Sequence, residues 1–202
     1  MLQQMMNVIK HVIHFVMRSN AIQKKNSIAR ALGVFVLIIV SIISQAQSVP
    51  QKTGSEVTQQ DAQKALDFHN DIRKKVGSPK LQWSNDLAKF AQAWADELAG
   101  SCNMKHRPSS GQWKQKYGEN IFWGSADYFT VIDACESWYS EIEYFKPGKL
   151  SEKVWSKAGH YTQMVWKETT HLGMGISICK DGGVIVVANY NPAGNYIGER
   201  PY

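Results

Sequence analysis

The sequence predicts a single α+β domain, and three observations support this fold class. Through most of the body, apolar residues recur at the spacing of helices. In the C-terminal third, the apolar pattern changes to the alternation typical of strands. The helices come first and a strand hairpin follows, without a repeating strand–helix unit.

The first predicted helix opens at Thr58, where Asp61 three residues later resembles a capping box. Gly77 ends it, as glycine commonly does at the C-terminus of a helix. His69 lies within the apolar face of this helix. We interpret it as a hydrogen-bonded core histidine rather than a ligand.

Three further helices are predicted, at about 85–99, 127–145 and 159–166. Cys135 lies in the apolar stripe of the second of these and is interpreted as a small buried hydrophobe. The last and shortest, "GHYTQMVW", places His160 near its start. The helix dipole favours negative charge there, so His160 is either neutral and structural or serves residues outside this octapeptide.

Strands are predicted at 119–123, at 172–179 ("LGMGISIC") and at 184–190 ("VIVVANY"). The segment "KDGG", 180–183, joins the last two as a hairpin turn. The tail 191–202, "NPAGNYIGERPY", has the composition of turns and is expected to wrap the edge of the sheet.

Residues 1–46 are interpreted as a leader, 47–57 as a polar linker and 58–202 as the domain. Within the leader, 31–44 form an uncharged run of 14 residues, which is short for a bilayer span of about 20 residues. We therefore favour a signal peptide cleaved after Ala46 over an uncleaved membrane anchor. Both interpretations predict a secreted or otherwise extracytoplasmic domain.

The formal net charge of +6 at first suggests a nucleic-acid or membrane partner. Five of the 23 basic residues and none of the 17 acidic ones lie in the leader, which leaves 18 against 17 in the body. The body is therefore nearly neutral, and nothing in it favours binding to a nucleic-acid backbone.

The chain has three cysteines, an odd number, so at least one is unpaired within a monomer. Cys102 and Cys179 are the only plausible pair, because Cys135 is assigned to the core. A body of this length does not need a disulfide scaffold.

Seven segments together resemble the CAP superfamily of cysteine-rich secretory proteins, antigen 5 and pathogenesis-related group 1 proteins. "GHYTQMVW" and "NYNPAGNYIGERPY" are similar to its two signature segments. The other matches, in family order, are "HNDIR" at 69–73, "LQWSNDLAKFAQAWA" at 81–95, "HR" at 106–107, "GEN" at 118–120 and "WYSE" at 138–141. The resemblance covers nearly the whole body.

This resemblance implies a three-layer α-β-α sandwich, with a small antiparallel sheet between helices and a central groove. Carried over by motif, the groove is lined by His106, Glu119, Glu141 and His160, which we call the groove tetrad. The resemblance also implies a possible lipid or sterol ligand, as several members of the family bind such molecules.

The chain departs from the family at two positions, Ala188 and Met174, where the family usually has cysteines. Cys102 and Cys179 each then lack the partner that is usual in the family. We therefore expect a disulfide-poor, bacterial-like member.

Two imidazoles and two carboxylates in one cleft allow three kinds of chemistry. His106 and His160 could hold a divalent ion such as zinc, with affinity that fades at mildly acidic pH. Glu119 and Glu141 could instead favour acid–base catalysis, or all four could form a satisfied structural network.

The leading hypothesis is a secreted, non-enzymatic binding scaffold with a lipid or sterol ligand and no nucleic-acid partner. The alternative is a metal-dependent hydrolase, a peptidase that uses Glu119 or Glu141 as base, although no serine in the sequence is a convincing nucleophile. A third hypothesis is a surface interaction module that reaches the membrane only through an uncleaved leader.

Overall fold

The computed structural model describes residues 48–125 and 129–202, so the leader predicted over 1–46 lies outside the described residues. Ser48–Tyr202 form one compact unit. Within the described part of the chain, no helix combines the length and apolar character needed to cross a membrane.

The described residues form four α-helices, one 3₁₀ helix and four strands. The α-helices are α1 (Gln59–Val76), α2 (Asn85–Ser101), α3 (Val131–Ser140) and α4 (Glu152–Met164), and the 3₁₀ helix Glu141–Tyr144 directly follows α3. The strands are β1 (Gln82–Trp83), β2 (Gly118–Ser125), β3 (His171–Ile178) and β4 (Gly183–Asn191).

The first two helices begin where their capping residues predict. The Thr58 side chain accepts a hydrogen bond from the Asp61 N–H, and Gly77 ends α1 in the left-handed conformation, with φ of 78°. Ser84 caps α2 in the same way. The predicted end near 99 is slightly too early, because α2 continues to Ser101 and ends at Cys102, which adopts a φ of 49°.

The predicted bounds of the later two helices are also wrong. Thr130 and Asp133 form a capping box, so α3 begins at Val131 rather than near 127, and the chain tightens to a 3₁₀ helix at Glu141. The fourth helix is longer than the octapeptide 159–166, because Ser151 caps its start and accepts a hydrogen bond from the Val154 N–H.

The sheet has the order β1-β3-β4-β2, with β4 antiparallel to both β2 and β3. The two-residue strand β1, which was not predicted, pairs parallel to β3. Apolar side chains of α2 pack with Ile185 and Val187 on one face. Those of α1, α3 and α4 pack with Val186 and Ala188 on the other. This arrangement confirms the three-layer α-β-α sandwich.

Glycines in β3 let α2 approach the sheet closely. A side-chain carbon added at Gly173 or Gly175 would overlap the backbone of α2. The alternation read from "LGMGISIC" therefore separates small residues, which face α2, from Met174 and Ile176, which face the opposite layer.

Both ends of the described domain pack differently from expectation. In the predicted linker, Val49 and Val57 are buried, and the Thr53 carbonyl accepts a hydrogen bond from the Trp83 indole. The tail follows α4 and the loop before it rather than the sheet edge. Leu150 exchanges backbone hydrogen bonds with Gly198 and Glu199.

The predicted pair of Cys102 and Cys179 is confirmed, since the two are bonded to each other, and the expectation of a disulfide-poor, bacterial-like chain is wrong. Their Cα atoms lie 5.5 Å apart, where the end of α2 meets the end of β3. Met174 and Ala188 are buried cross-strand neighbours, so apolar packing stands where the family usually has cysteines. Cys135 is confirmed as a buried free cysteine, and burial raises the pKa of its thiol.

Candidate functional site

The first pair of the groove tetrad joins the loop after α2 to the start of β2. His106 Nδ1 lies 2.9 Å from Glu119 Oε1, which also accepts a hydrogen bond from the Arg107 backbone N–H at 3.1 Å. The Glu119 side chain is fully buried, whereas the His106 side chain is 58% exposed. The carboxylate is therefore fixed, and it holds one nitrogen of an accessible imidazole.

Arg107 provides the charge that makes the buried Glu119 tolerable. Its Nε lies 3.7 Å from Glu119 Oε2, too far for a hydrogen bond but close enough for an ion pair. Its guanidinium lies 3.8 Å from the centre of the Phe90 ring and donates to the Phe90 carbonyl at 2.6 Å. Two tryptophans, Trp94 and Trp113, complete this aromatic enclosure.

Arg107 is part of the "HR" match, but no role was predicted for it. Its position directly after a groove histidine was the only feature of the sequence that indicated a role at this site. Its burial depends on aromatic residues from two other segments, which no local pattern shows.

The second pair joins the 3₁₀ helix to α4. His160 Nδ1 lies 2.6 Å from Glu141 Oε1, and Glu141 Oε2 accepts hydrogen bonds from the backbone N–H groups of His160 and Tyr161 at 2.9 and 3.2 Å. Ala158 has non-helical φ and ψ of −133° and 20°, which breaks α4 into two segments. Glu141 therefore caps the start of the second segment.

This geometry explains why a histidine stands near a helix start. The positive end of the second segment is satisfied by the Glu141 carboxylate, and the imidazole binds the other oxygen of that carboxylate. The bend occurs at Ala158, one residue before the start of the predicted helix 159–166. Gly159 leaves room for Trp155, whose ring lies 3.2 Å from where a side-chain carbon would be.

The two pairs are linked through Glu119 and Asn120, which are consecutive residues of β2. Next to Glu119, the Asn120 side-chain amide donates to the His160 carbonyl at 3.1 Å and to the Tyr190 hydroxyl at 3.2 Å. The Tyr190 hydroxyl in turn lies 2.9 Å from His69 Nε2. This buried chain ties the backbone of the second pair to the strand that carries the first.

His69 has the structural role that was predicted for it. Its Nδ1 lies 2.8 Å from the Ala65 carbonyl, and burial lowers the pKa of His69 to about 4. The neutral ring therefore donates from Nδ1 to Ala65, and Nε2 accepts from the Tyr190 hydroxyl.

The donor set of the groove fits a metal ion bound by two histidines. A metal-ligating imidazole usually has its second nitrogen hydrogen-bonded to a carboxylate or carbonyl, and both groove imidazoles have Nδ1 on a glutamate. Nε2 of each ring would then be the metal ligand. Over residues 48–125 and 129–202, no three members of the tetrad bring ligand atoms within 4.8 Å of one another. An ion in this arrangement would therefore be held by at most two members of the tetrad, with water in the remaining positions.

Ser140 and Ser156, the serines closest in sequence to Glu141 and His160, are hydrogen-bonded within their own helical segments. Ser140 Oγ donates to the Ser137 carbonyl at 2.7 Å, and Ser156 Oγ donates to the Lys153 carbonyl at 3.1 Å. Neither of these two hydroxyls therefore makes the contact with a groove histidine that a nucleophilic serine needs.

Comparison with known families and proteins gives consistent matches. The family model described as CAP, the cysteine-rich secretory protein family, matches residues 66–190. Pathogenesis-related protein 1C of Nicotiana tabacum is 41% identical over 144 residues, which cover 71% of this chain and 82% of that protein. Pathogenesis-related protein 1 of Arabidopsis thaliana is 36% identical over 177 residues, covering 86% of this chain and 96% of that protein.

Solved structures show the same fold. The crystal structure titled NaASP2 with Zn²⁺ has a TM-score of 0.62 and 26% identity, covering 77% of this chain and 87% of that one. The structure of BmVAL-1 has a TM-score of 0.63 and 26% identity, covering 74% of this chain and 84% of that one.

Proposed function

Because this chain belongs to the CAP family of cysteine-rich secretory proteins, we propose that it is an extracytoplasmic, non-enzymatic binding scaffold whose groove takes a divalent cation through His106 and His160. The observation that carries the proposal is the orientation of both imidazoles by carboxylates through Nδ1. Such contacts fix the ring and leave Nε2 as the metal ligand. A zinc-containing structural relative of the same fold supports this choice of cation.

The hydrogen bonds of the two glutamates favour binding over catalysis. Glu119 Oε1 accepts two hydrogen bonds, and the two oxygens of Glu141 share three. A general base needs an oxygen within reach of a substrate proton. Three of the four oxygens already accept hydrogen bonds from the protein, and the fourth, Glu119 Oε2, is buried beside Arg107. The carboxylates are thus placed to orient histidines rather than to abstract protons.

The extracytoplasmic location is supported by two independent features. The leader carries a basic stretch followed by the apolar run 31–44, as in a secretory signal. The domain also contains a disulfide between Cys102 and Cys179, a bond that persists in oxidising compartments.

A lipid or sterol ligand beside the second pair is a further part of this proposal. Ile142 and Tyr144 follow Glu141 in the chain and are 37% and 54% exposed, and Trp155 over Gly159 is 50% exposed. These side chains offer apolar contact area next to the groove. Extraction and mass spectrometry of the exported protein are expected to detect a co-purified lipid or sterol. Repeated recovery of lipid-free protein from lipid-rich medium would remove this part of the proposal.

Zinc binding is expected to depend on the two groove histidines together. The double substitution His106→Ala, His160→Ala removes both nitrogens and should weaken zinc binding at least about 100-fold in calorimetric titration. Because protons compete with the metal for imidazole nitrogens, wild-type affinity should also fall as the pH is lowered.

His171→Ala provides the matched control, since it removes a histidine that contacts Thr170 and lies outside the tetrad. Zinc affinity should be unchanged in that variant. Equal affinity in the wild type and the double variant would leave the tetrad as a structural network.

A further inference from the structure

A second group of possible metal ligands lies at the hairpin between β3 and β4, away from the groove tetrad. Single ligand atoms of Cys102, Cys179 and Asp181 all lie within 4.8 Å of one another. Over the described ranges this is the only such group of three or more cysteine, histidine or acidic side chains. Cys102 and Cys179 are joined in a disulfide, so their sulfurs are not thiolate ligands in this state.

Asp181 is held beside Cys102 by the Gly183 N–H, and its contact with the sulfur is not a hydrogen bond in the disulfide form. Its Oδ1 lies 3.3 Å from Cys102 Sγ, but a disulfide sulfur carries no proton and cannot donate to a carboxylate. After reduction, the same oxygen faces a thiol or a thiolate. A thiolate there would be repelled by the carboxylate unless a cation lay between them.

The hairpin turn holds Cys179 and Asp181 in place through hydrogen bonds that do not depend on the disulfide. The Cys179 N–H donates to the Gly183 carbonyl at 2.7 Å, and the Gly182 N–H donates to the Cys179 carbonyl at 3.1 Å. The Asp181 carboxylate accepts a hydrogen bond from the Gly183 N–H at 3.0 Å. Reduction of the disulfide breaks none of these hydrogen bonds.

The surroundings of Cys102 also suit a thiolate ligand. The Trp123 indole N–H donates to Cys102 Sγ at 3.4 Å, and this type of contact stabilises negative charge on sulfur. Cys102 is half-buried and Asp181 is exposed, so an ion can reach the site from solvent. Two thiolates and one carboxylate leave a fourth position for water, a donor set that suits zinc or cadmium.

We infer that Cys102, Cys179 and Asp181 form a redox-gated metal site, closed in the disulfide form and able to bind a thiophilic divalent cation once reduced. In the opening step, a dithiol reductant transfers two electrons and two protons to the disulfide and itself becomes a disulfide. In the binding step, the two thiols release two protons as the cation binds. In the closing step, the two thiolates pass two electrons to a disulfide oxidant, which takes up two protons and becomes a dithiol, and the re-formed Cys102–Cys179 bond releases the ion.

Cadmium titration of the exported protein tests this inference, with the sulfur-to-cadmium ultraviolet absorption band as readout. The disulfide is first reduced with a phosphine, which takes oxygen from water to become its oxide and is then removed anaerobically. The reduced protein should bind one Cd²⁺ at least about 100-fold more tightly than the oxidised protein, which has no free thiolate at this site.

Asp181→Asn keeps both cysteines and should weaken cadmium binding by the reduced protein about tenfold or more. Circular dichroism confirms that each reduced protein stays folded. The double variant His106→Ala, His160→Ala should retain the absorption band, so this test is independent of the groove. Equal cadmium affinity in the wild type and Asp181→Asn, or a reduced protein without the band, would overturn the inference.

Discussion

Replacing Arg73 with methionine is expected to lower the free energy of unfolding by about 5 kcal/mol, because several buried carbonyls would lose charged donors. The Arg73 side chain is fully buried and donates to the carbonyls of Pro79, Met164, Trp166 and Thr169 at 2.6 to 2.9 Å. Burial lowers the pKa of Arg73 to about 10, so the guanidinium stays charged at neutral pH.

Arg73 compensates the end of α4 with its positive charge as well as its hydrogen bonds. The Met164 carbonyl belongs to the last residue of that helix, and the Trp166 and Thr169 carbonyls lie in the turns that follow. Carbonyls at a helix C-terminus lack intrahelical partners and attract cations. The substitution should therefore destabilise both the turns between α4 and β3 and the packing of α1 against them.

Chemical denaturation measures this loss. Lys74→Met is the matched control, because Lys74 is exposed on the same helix and should change stability by no more than about 0.5 kcal/mol. Arg73→Lys keeps the positive charge but has fewer hydrogen-bond donors, so its free energy of unfolding should lie between those of the wild type and Arg73→Met. If Arg73→Met were as stable as Lys74→Met, the proposed role of the guanidinium would be wrong.

Acidification from pH 6.5 to pH 4 is expected to cost about 3 kcal/mol of stability through His69 alone. Burial lowers the pKa of His69 from 6.5 to about 4 in the folded protein. Between these values the unfolded chain binds a proton that the folded protein excludes. Stability from this group is therefore complete above pH 6.5 and falls as the pH drops toward 4.

The variant His69→Gln isolates this contribution. The free energy of unfolding is measured for both proteins at several pH values. Their carboxylates are the same, so the contribution of those groups cancels in the difference between the two proteins. The wild type should lose about 3 kcal/mol more than the variant between pH 6.5 and pH 4. Parallel pH profiles for the two proteins would show that His69 is not the group responsible.

Local rules were sufficient for α1 and for the hairpin, although the local capping box of Thr130 and Asp133 at the start of α3 was missed. Thr58 and Asp61 begin α1, and Gly77 ends it, because a helix cap involves residues only three or four apart. The hairpin of β3 and β4 follows likewise from alternation around a short turn. Family motifs added the groove tetrad, whose within-pair contacts the structure shows.

Local rules failed where the partner lies far along the chain. The break in α4 at Ala158 accompanies capping by Glu141, which belongs to a different segment. The strand β1 is only two residues long and exists because β3 pairs with it. The periodicity of apolar residues predicts neither the contact of Glu141 with α4 nor the pairing of β1 with β3, because both join residues far apart in the chain.

The sequence by itself determined the α+β class, the core position of His69 and Cys135, and Cys102 with Cys179 as the only plausible cysteine pair. Only the tertiary structure decided that Arg73 and Arg107 are buried. A charged residue in a helical or loop pattern is ordinarily expected at the surface. Its burial becomes favourable only when distant carbonyls, aromatic rings or a carboxylate converge on it, and folding alone brings those groups together.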